Sequence, residues 1–146
     1  MHMKSHGHAE TRSISIAAQP EIVLDLVSNP RRLPDWAPAF ASAVEPDDQD
    51  WRIDSGGSQL RIRVQVSRDH GTVDLLRPGD PSRGARMRVL NNESGSECVF
   101  TLIFPVGATK DAIARQMRIV EGELRTVRDL CETRAASGAQ ESGSIT

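Results

Sequence analysis

The residues best suited to chemistry lie on the last predicted helix, at Gln116 and Glu123. Apolar residues on this segment recur at spacings of three and four, the period of one buried helix face. They are Ile113, Met117, Val120, Leu124, Val127 and Cys131. A second apolar group lies roughly 100° to one side of this stripe, and consists of Ala112, Ile119 and Leu130. Gln116 and Glu123 fall between the two groups, so they are polar residues inside a broad apolar arc.

Two interpretations of Glu123 follow from this position. If the side chain is buried, loss of solvation raises its pKa, and it can hydrogen-bond a ligand hydroxyl or carbonyl or act as an acid or base. If the helix tilts, Glu123 lies at a solvated rim or pairs with an arginine. Trp36 also has two interpretations. It is either a core residue under the helix end or part of a binding-site wall, where it offers one N–H donor.

The helix that carries these residues is predicted over 109–134 and is about 39 Å long, so it needs a large apolar partner surface. Seven stretches with the two-residue period of a strand precede it. They are 11–17, 41–45, 50–55, 60–66, 72–76, 85–89 and 98–104. Short connections between six of them indicate hairpins and an antiparallel sheet.

The predicted strands have one apolar face, which only the terminal helix can cover. The opposite face carries Arg61, Arg63, Arg86 and Arg88. It is either a solvated surface or a patch that binds an anion or a partner.

The fold class is therefore α+β: a seven-stranded curved antiparallel sheet wrapped around a long C-terminal helix. Pro20 starts the first of two short helices after strand 1, and the prolines within 31–40 restrict the second to a turn or two. The domain spans 11–134. Residues 1–10 and 135–146 are polar and are predicted to be disordered tails.

Composition and motifs exclude several classes of protein. The net charge of −2 gives no attraction to nucleic acid, and no apolar run is long enough for membrane insertion. The N-terminus lacks the apolar segment of a secretory signal, so we expect a cytoplasmic protein with buried free thiols at Cys98 and Cys131. No metal-ligand or phosphate-loop motif is present, and we expect no metal and no cofactor. Chelation by His2, His6 and His8 is disfavoured because Gly7 loosens the segment.

The chain resembles the START-related helix-grip superfamily, which includes polyketide cyclase/dehydrase-like, lipid-transfer and birch-pollen-allergen-type domains. The resemblance covers about residues 11–133 and rests on SISIAAQP at 13–20, EIVLDLVSNP at 21–30, RRLPDWAPAF at 31–40, GSECVFTLIFP at 95–105 and the closing helix. It implies a cavity between the concave sheet and the long helix, apolar ligands, and catalysis in a minority of members. It also implies that the loop at 77–84 lies near the cavity mouth.

We therefore expect binding or transport of a small hydrophobic ligand, such as a lipid, polyketide or aromatic compound. This hypothesis requires an internal void of about 300 Å³ or more. One alternative is a polyketide cyclase or dehydratase-like enzyme using Glu123 and Gln116, with Glu123 the candidate catalytic residue. Another is a protein-interaction or chaperone-linked domain using the arginine-rich face. A binding module is favoured over an enzyme, and the oligomeric state is left open. The predicted ligand-contacting residues are Trp36, Phe40, Val64, Met87, Phe100, Gln116, Met117, Val120, Glu123 and Leu124.

Overall fold

A computed structural model describes residues 6–143 and confirms the predicted architecture. Its strands are β1 (His8–Ile16), β2 (Ala43–Asp47), β3 (Asp50–Ser55), β4 (Ser58–Ser67), β5 (Thr72–Arg77), β6 (Asp80–Asn92) and β7 (Gly95–Phe104). Its α-helices are α1 (Pro20–Val27), α2 (Leu33–Trp36) and α3 (Lys110–Gly143), and a 3-10 turn at Pro30–Arg32 precedes α2. Within the described residues, no helix combines the length and apolar character that crossing a bilayer requires.

The seven strands form one antiparallel sheet in the order β1-β7-β6-β5-β4-β3-β2. The first strand forms one edge of the sheet by pairing with the last, from His8 opposite Phe104 to Ile16 opposite Ser96. Strand β4 pairs with β3 through its first half and with β5 through its second half, from Arg63 opposite Leu76 onward. The two parts of the sheet therefore meet along β4, which gives the curvature that a helix-covered sheet needs.

Helix α3 begins where the sequence predicted and packs by its apolar stripe. The Ala112 amide donates to Thr109 Oγ1 at 3.1 Å, so Thr109 caps the helix. The stripe from Met117 to Cys131 is buried. The helix contacts β1, β7, α1 and α2, which places it toward one side of the sheet.

The predicted tail boundaries do not match the secondary structure. Helix α3 continues past Arg134 to Gly143, because the residues after 134 contain no proline and extending an existing helix costs far less than starting one. Ala136, Ser137 and Gly138 in this extension are exposed. Strand β1 begins at His8, where β7 supplies backbone partners. His2 and the remaining tail residues lie outside the described range.

The loop predicted at 77–84 is mostly a β-hairpin. Strand β5 runs to Arg77 and β6 starts at Asp80, so only Pro78 and Gly79 form the turn. The register changes from Leu76 opposite Gly84 to Arg77 opposite Asp80, which leaves 81–83 as a bulge. Pro78 and Gly79 are typical turn residues. The sequence pattern did not show that the residues on either side of them pair as β-strands. The connection between β6 and β7 is also shorter than the predicted strand bounds indicated, since only Glu93 and Ser94 form the turn.

Candidate functional site

A cavity of about 280 Å³ lies between α3 and the strands β4 to β7. The α2 helix and the turn after it close one side through Trp36, Ala37 and Phe40. The volume falls just under the about 300 Å³ that the binding hypothesis required, at the lower end of ligand sites. Any ligand enclosed here is therefore small.

The deep part of the cavity is apolar. Its most buried wall residues come from α2 and four strands, and each is no more than 8% exposed. They are Trp36 with the adjoining Ala37, Ile62, Leu75, Ala85 and Phe100. The inward parity predicted for the strands accounts for Ile62, Ala85 and Phe100. Such a surface favours aliphatic or aromatic groups over water.

Glu123 is the exception in this apolar surface. Its side chain lines the cavity, is only 8% exposed, and makes no hydrogen bond or ion pair with any residue that the structure describes. Burial raises the pKa of the Glu123 carboxyl to about 7. The alternative of a solvated or arginine-paired Glu123 does not match this geometry. Near neutral pH the carboxyl is present in both protonation states, so it can donate or accept a hydrogen bond.

Gln116 lines the same cavity two helical turns before Glu123 and is half-buried. The neighbouring stripe residues Met117, Val120 and Leu124 pack into the core. The apolar stripe and the two polar residues thus lie on adjacent faces of the helix. The stripe packs into the core, and the face with Gln116 and Glu123 lines the cavity.

Trp36 is both a core residue and a cavity wall. It is 2% exposed and lines the cavity. Its indole Nε1 has no hydrogen-bond acceptor among the described residues. An unpaired buried donor costs about 1–3 kcal/mol. Such donors are rare in folded proteins, so this one marks the cavity wall as a place where a ligand could accept a hydrogen bond.

The cavity mouth is polar and positively charged. Arg77 and Arg83 line it from the β5–β6 hairpin, with Arg77 half-buried and Arg83 exposed. Exposed Ile103 and Pro105 complete this end. The sequence analysis placed the 77–84 segment near the mouth by resemblance but singled out neither arginine. The bulge at 81–83 breaks the two-residue period, so parity could not have found Arg83.

The predicted ligand-contacting residues divide into two groups. The structure places some in the cavity lining, namely Trp36, Phe40, Phe100, Gln116 and Glu123. The others lie outside the lining, in or against the packed core, and are Val64, Met87, Met117, Val120 and Leu124. They share the inward face of their elements, but the cavity occupies only part of the space that this face encloses.

The arginines of the outer sheet face are exposed, as parity predicted. Several bind acidic neighbours on the same surface. Arg63 Nε donates to Asp50 Oδ1 at 2.8 Å, and the Arg63 guanidinium lowers the pKa of Asp50. Arg86 Nη1 lies 2.9 Å from Asp74 Oδ2. This internal pairing reduces the charge available to a partner.

The remaining candidates for chemistry offer less. His70 is exposed at a hairpin turn, where its Nδ1 hydrogen-bonds Ser67 Oγ at 2.8 Å. Cys98 and Cys131 are buried free thiols. Across residues 6–143, no group of histidine, cysteine and acidic side chains has the arrangement of a metal site.

No protein-family model and no curated protein matches the sequence. Solved structures do match the fold. The protein XoxI from Bacillus cereus is 19% identical with a TM-score of 0.68, over 84% of this chain and 94% of that chain. The Zhui aromatase/cyclase from Streptomyces sp. R1128 is 16% identical with a TM-score of 0.62, over 88% and 96%. Ara h 8.0201 is 11% identical with a TM-score of 0.58, over 86% and 98%.

These similarities establish the architecture. The chain has a helix-grip fold, which is the fold that the resemblance found in the sequence implied. At these identities the comparisons establish the fold alone.

Proposed function

We propose that the protein binds a small, mainly apolar molecule in this cavity and hydrogen-bonds it through Glu123. The observation that carries the proposal is a carboxyl that is 8% exposed, has no partner among the described residues, and faces an otherwise apolar pocket. A buried polar group without a partner destabilises the fold. A ligand hydroxyl or carbonyl would supply the missing hydrogen bond.

The size and lining of the cavity restrict the ligand. Its volume of about 280 Å³ suits a short acyl chain or a compact aromatic or polyketide-like compound. The apolar wall supplies affinity by removing ligand surface from water, and Glu123 and Gln116 supply orientation. The fold is shared with an aromatase/cyclase, the Zhui protein, which supports a ligand-sized interior in this architecture.

The test is native mass spectrometry of the purified protein, followed by titration with decan-1-ol as a neutral apolar probe. The chain has two tryptophans and no tyrosine, so Trp51→Phe leaves Trp36 in the cavity wall as the fluorescent reporter. We expect decan-1-ol to change Trp36 emission saturably.

Two substitutions of Glu123 separate its hydrogen bond from its volume. Glu123→Gln keeps a donor and an acceptor, whereas Glu123→Leu keeps only the bulk. We expect Glu123→Leu to weaken decan-1-ol binding by about fivefold to tenfold, the value of one hydrogen bond, and Glu123→Gln to weaken it less. Unsaturable emission changes in the starting protein, or equal affinity in both variants and the starting protein, would refute the proposal.

A second candidate is acid–base catalysis of the cyclase or dehydratase type. The observation that favours it is the pKa of about 7 at Glu123, since a catalytic acid or base works best near the operating pH. Incubation with a polyketide-like β-keto substrate tests it by product analysis. Loss of turnover in Glu123→Gln with retained substrate affinity supports catalysis, and tight binding without product supports the binding module.

A further inference from the structure

We propose that the ligand is an amphipathic acid, whose anionic group, such as a carboxylate, binds Arg77 and Arg83 at the mouth. Its mainly apolar remainder, which carries the hydroxyl or carbonyl that meets Glu123, enters the cavity. This inference rests on the proposed function, since it specifies the chemistry of the molecule that the cavity takes. It adds a second, charged recognition point at the opposite end from the deep apolar wall.

The first support is the gradient of burial along the cavity. Trp36, Ile62 and Glu123 are nearly inaccessible, whereas Arg83, Ile103 and Pro105 at the other end are exposed. A molecule that fills this space has one desolvated end and one end in contact with water. Only the wet end can carry a full charge at small cost, because burying an ion without a partner is expensive.

The second support is that the two mouth arginines lack partners. Neither Arg77 nor Arg83 makes a hydrogen bond or ion pair within the described part of the chain. Arginines elsewhere on the sheet do, including Arg12 with Glu121 and Arg63 with Asp50. The guanidinium group has a planar array of donors that matches a carboxylate.

The hairpin fixes the backbone on either side of these arginines. Gly84 follows the bulge with φ of 139°, and a Cβ built there would lie 2.2 Å from the Leu75 carbonyl oxygen. The backbones of β5 and β6 are thus in close contact beside Arg83, and Arg77 is paired in register with Asp80. Recognition of an anion by a fixed hairpin costs less ordering entropy than recognition by a mobile loop.

The charges around the cavity agree with this orientation. The acidic residue in its lining is Glu123, at the deep end. Burial alone raises the Glu123 pKa, so the arginines do not compensate its charge. Asp80 in the hairpin accepts a hydrogen bond from Ser82 Oγ at 2.5 Å. An anionic group is therefore attracted to the mouth and repelled from the interior.

The test compares decanoate with decan-1-ol, which share a chain length and differ in the charged group. Both are titrated against the Trp51→Phe protein by Trp36 emission and by calorimetry. We expect the double variant Arg77→Gln/Arg83→Gln to weaken decanoate binding by about tenfold, as for a charge-assisted hydrogen bond. Decan-1-ol affinity should change by less than about twofold, within the range of a near-neutral surface substitution.

Two controls make the result specific. Arg88→Gln removes an exposed arginine from the same strand, outside the cavity lining, and should leave both affinities unchanged. Arg77→Lys/Arg83→Lys keeps the charge and should restore most of the decanoate affinity. It also provides a folded comparison if the double glutamine variant proves unstable. High salt should weaken decanoate binding more than decan-1-ol binding.

The outcomes separate this inference from the proposed function. If decan-1-ol binds but decanoate affinity is unchanged in the double glutamine variant, the charged recognition point is refuted and the apolar site stands. Equal losses in Arg88→Gln and in the double variant also refute it. If neither probe binds the starting protein, both the proposed function and this inference are refuted.

Discussion

Glu123 connects the stability of the protein to its proposed activity at the scale of one residue. Its carboxyl lies in an apolar wall because the helix places position 123 beside the packed stripe, on the side that faces the cavity. A sequence optimised only for packing would have an aliphatic residue there. The residue therefore keeps a group that the fold alone does not need.

The pH dependence of unfolding tests the environment of Glu123. Its pKa is about 7 in the folded protein against an ordinary value of 4.5, so the folded state binds the proton more tightly. The stability gained from this tighter proton binding is fully present below about pH 4.5 and is lost as the pH rises toward 7. A shift of this size is worth about 3 kcal/mol.

Urea unfolding at pH 5 and pH 8 measures this effect. The starting protein should lose about 2.5 kcal/mol more stability than Glu123→Gln between the two pH values, because at pH 5 the unfolded carboxyl is already mostly ionised. Glu121→Gln controls for loss of a carboxylate from the neighbouring position of the same helix. Parallel pH profiles for the starting protein and Glu123→Gln would show that the carboxyl is solvated.

The sequence pattern located the helix residues of the cavity lining but not the arginines of its mouth. Gln116 and Glu123 were identifiable because a helix has a constant angle per residue, so their place beside the apolar stripe is preserved in the structure. The broad buried arc expected around them is not, since Ala112 and Ile119 are exposed. Arg77 and Arg83 were missed because strand parity is lost across the bulge at 81–83.

At the scale of elements, the β5–β6 hairpin depends on Gly84. Gly84→Ala places a methyl group against the Leu75 carbonyl and forces an unfavourable φ. Gly79→Ala, in the turn of the same hairpin, also has positive φ but meets nothing within 4 Å. We expect Gly84→Ala to lower the unfolding free energy by about 2 kcal/mol or more and Gly79→Ala by about 1 kcal/mol, measured by urea denaturation.

Both variants carry the cost of alanine at a positive φ, but only Gly84→Ala also meets the Leu75 carbonyl. The difference between their unfolding free energies therefore measures the close contact between the strands. If Gly84→Ala and Gly79→Ala are equally destabilising, the strands are further apart near Arg83 than the structure indicates. Gly84→Ala disturbs the bulge that carries Arg83, so it should lower the affinity for decanoate more than the affinity for decan-1-ol.

Helix α3 contains a glycine that packing does not require. A Cβ at Gly122 would meet only the Arg125 guanidinium, at 3.7 Å. Gly122→Ala should raise the unfolding free energy by about 0.5–1 kcal/mol, because alanine loses less conformational entropy in a helix interior. Gly138→Ala, also with open space around its Cα, lies near the helix end and should gain less. A loss of stability in Gly122→Ala would contradict this placement of the helix.

The elements themselves were predictable where local rules were sufficient. Pro20 marked the start of α1, because proline has no N–H that the first helical turn would leave unpaired. The helix predicted from 109 begins there because Thr109 caps it. The extent of α3 and of the β5–β6 hairpin was not predictable, since polar composition indicates exposure but not whether the backbone pairs.

At the scale of the whole molecule, the cavity exists because helix α3 does not cover the whole sheet. Helix α3 packs against β1, β7 and the short helices, and space remains between it and strands β4 to β7. Hydrophobic periodicity identifies which residues face inward. It does not fix the distance between helix and sheet, so residues such as Met87 and Leu102 share a face although only Leu102 lines the cavity.

The two thiols report on the integrity of this whole arrangement. Cys98 on β7 and Cys131 on α3 are 0% and 2% exposed. Burial raises the pKa of Cys98 to about 12 and that of Cys131 to about 11. Because the thiolate is the reactive form, neither should react with a thiol reagent in the folded state. Labelling should therefore require global unfolding.

Labelling with a disulfide reagent, followed by peptide mapping, tests this expectation. Both cysteines should react at the same rate, and the rate should follow the unfolding equilibrium when closing is faster than reaction. Gly122→Ala, if it stabilises the protein by about 1 kcal/mol, should slow both reactions by about fivefold. Faster reaction at Cys131 than at Cys98, with no dependence on urea, would show instead that α3 detaches from the sheet while the strands stay paired. Such detachment would give a ligand a second route into the cavity besides the arginine-lined mouth.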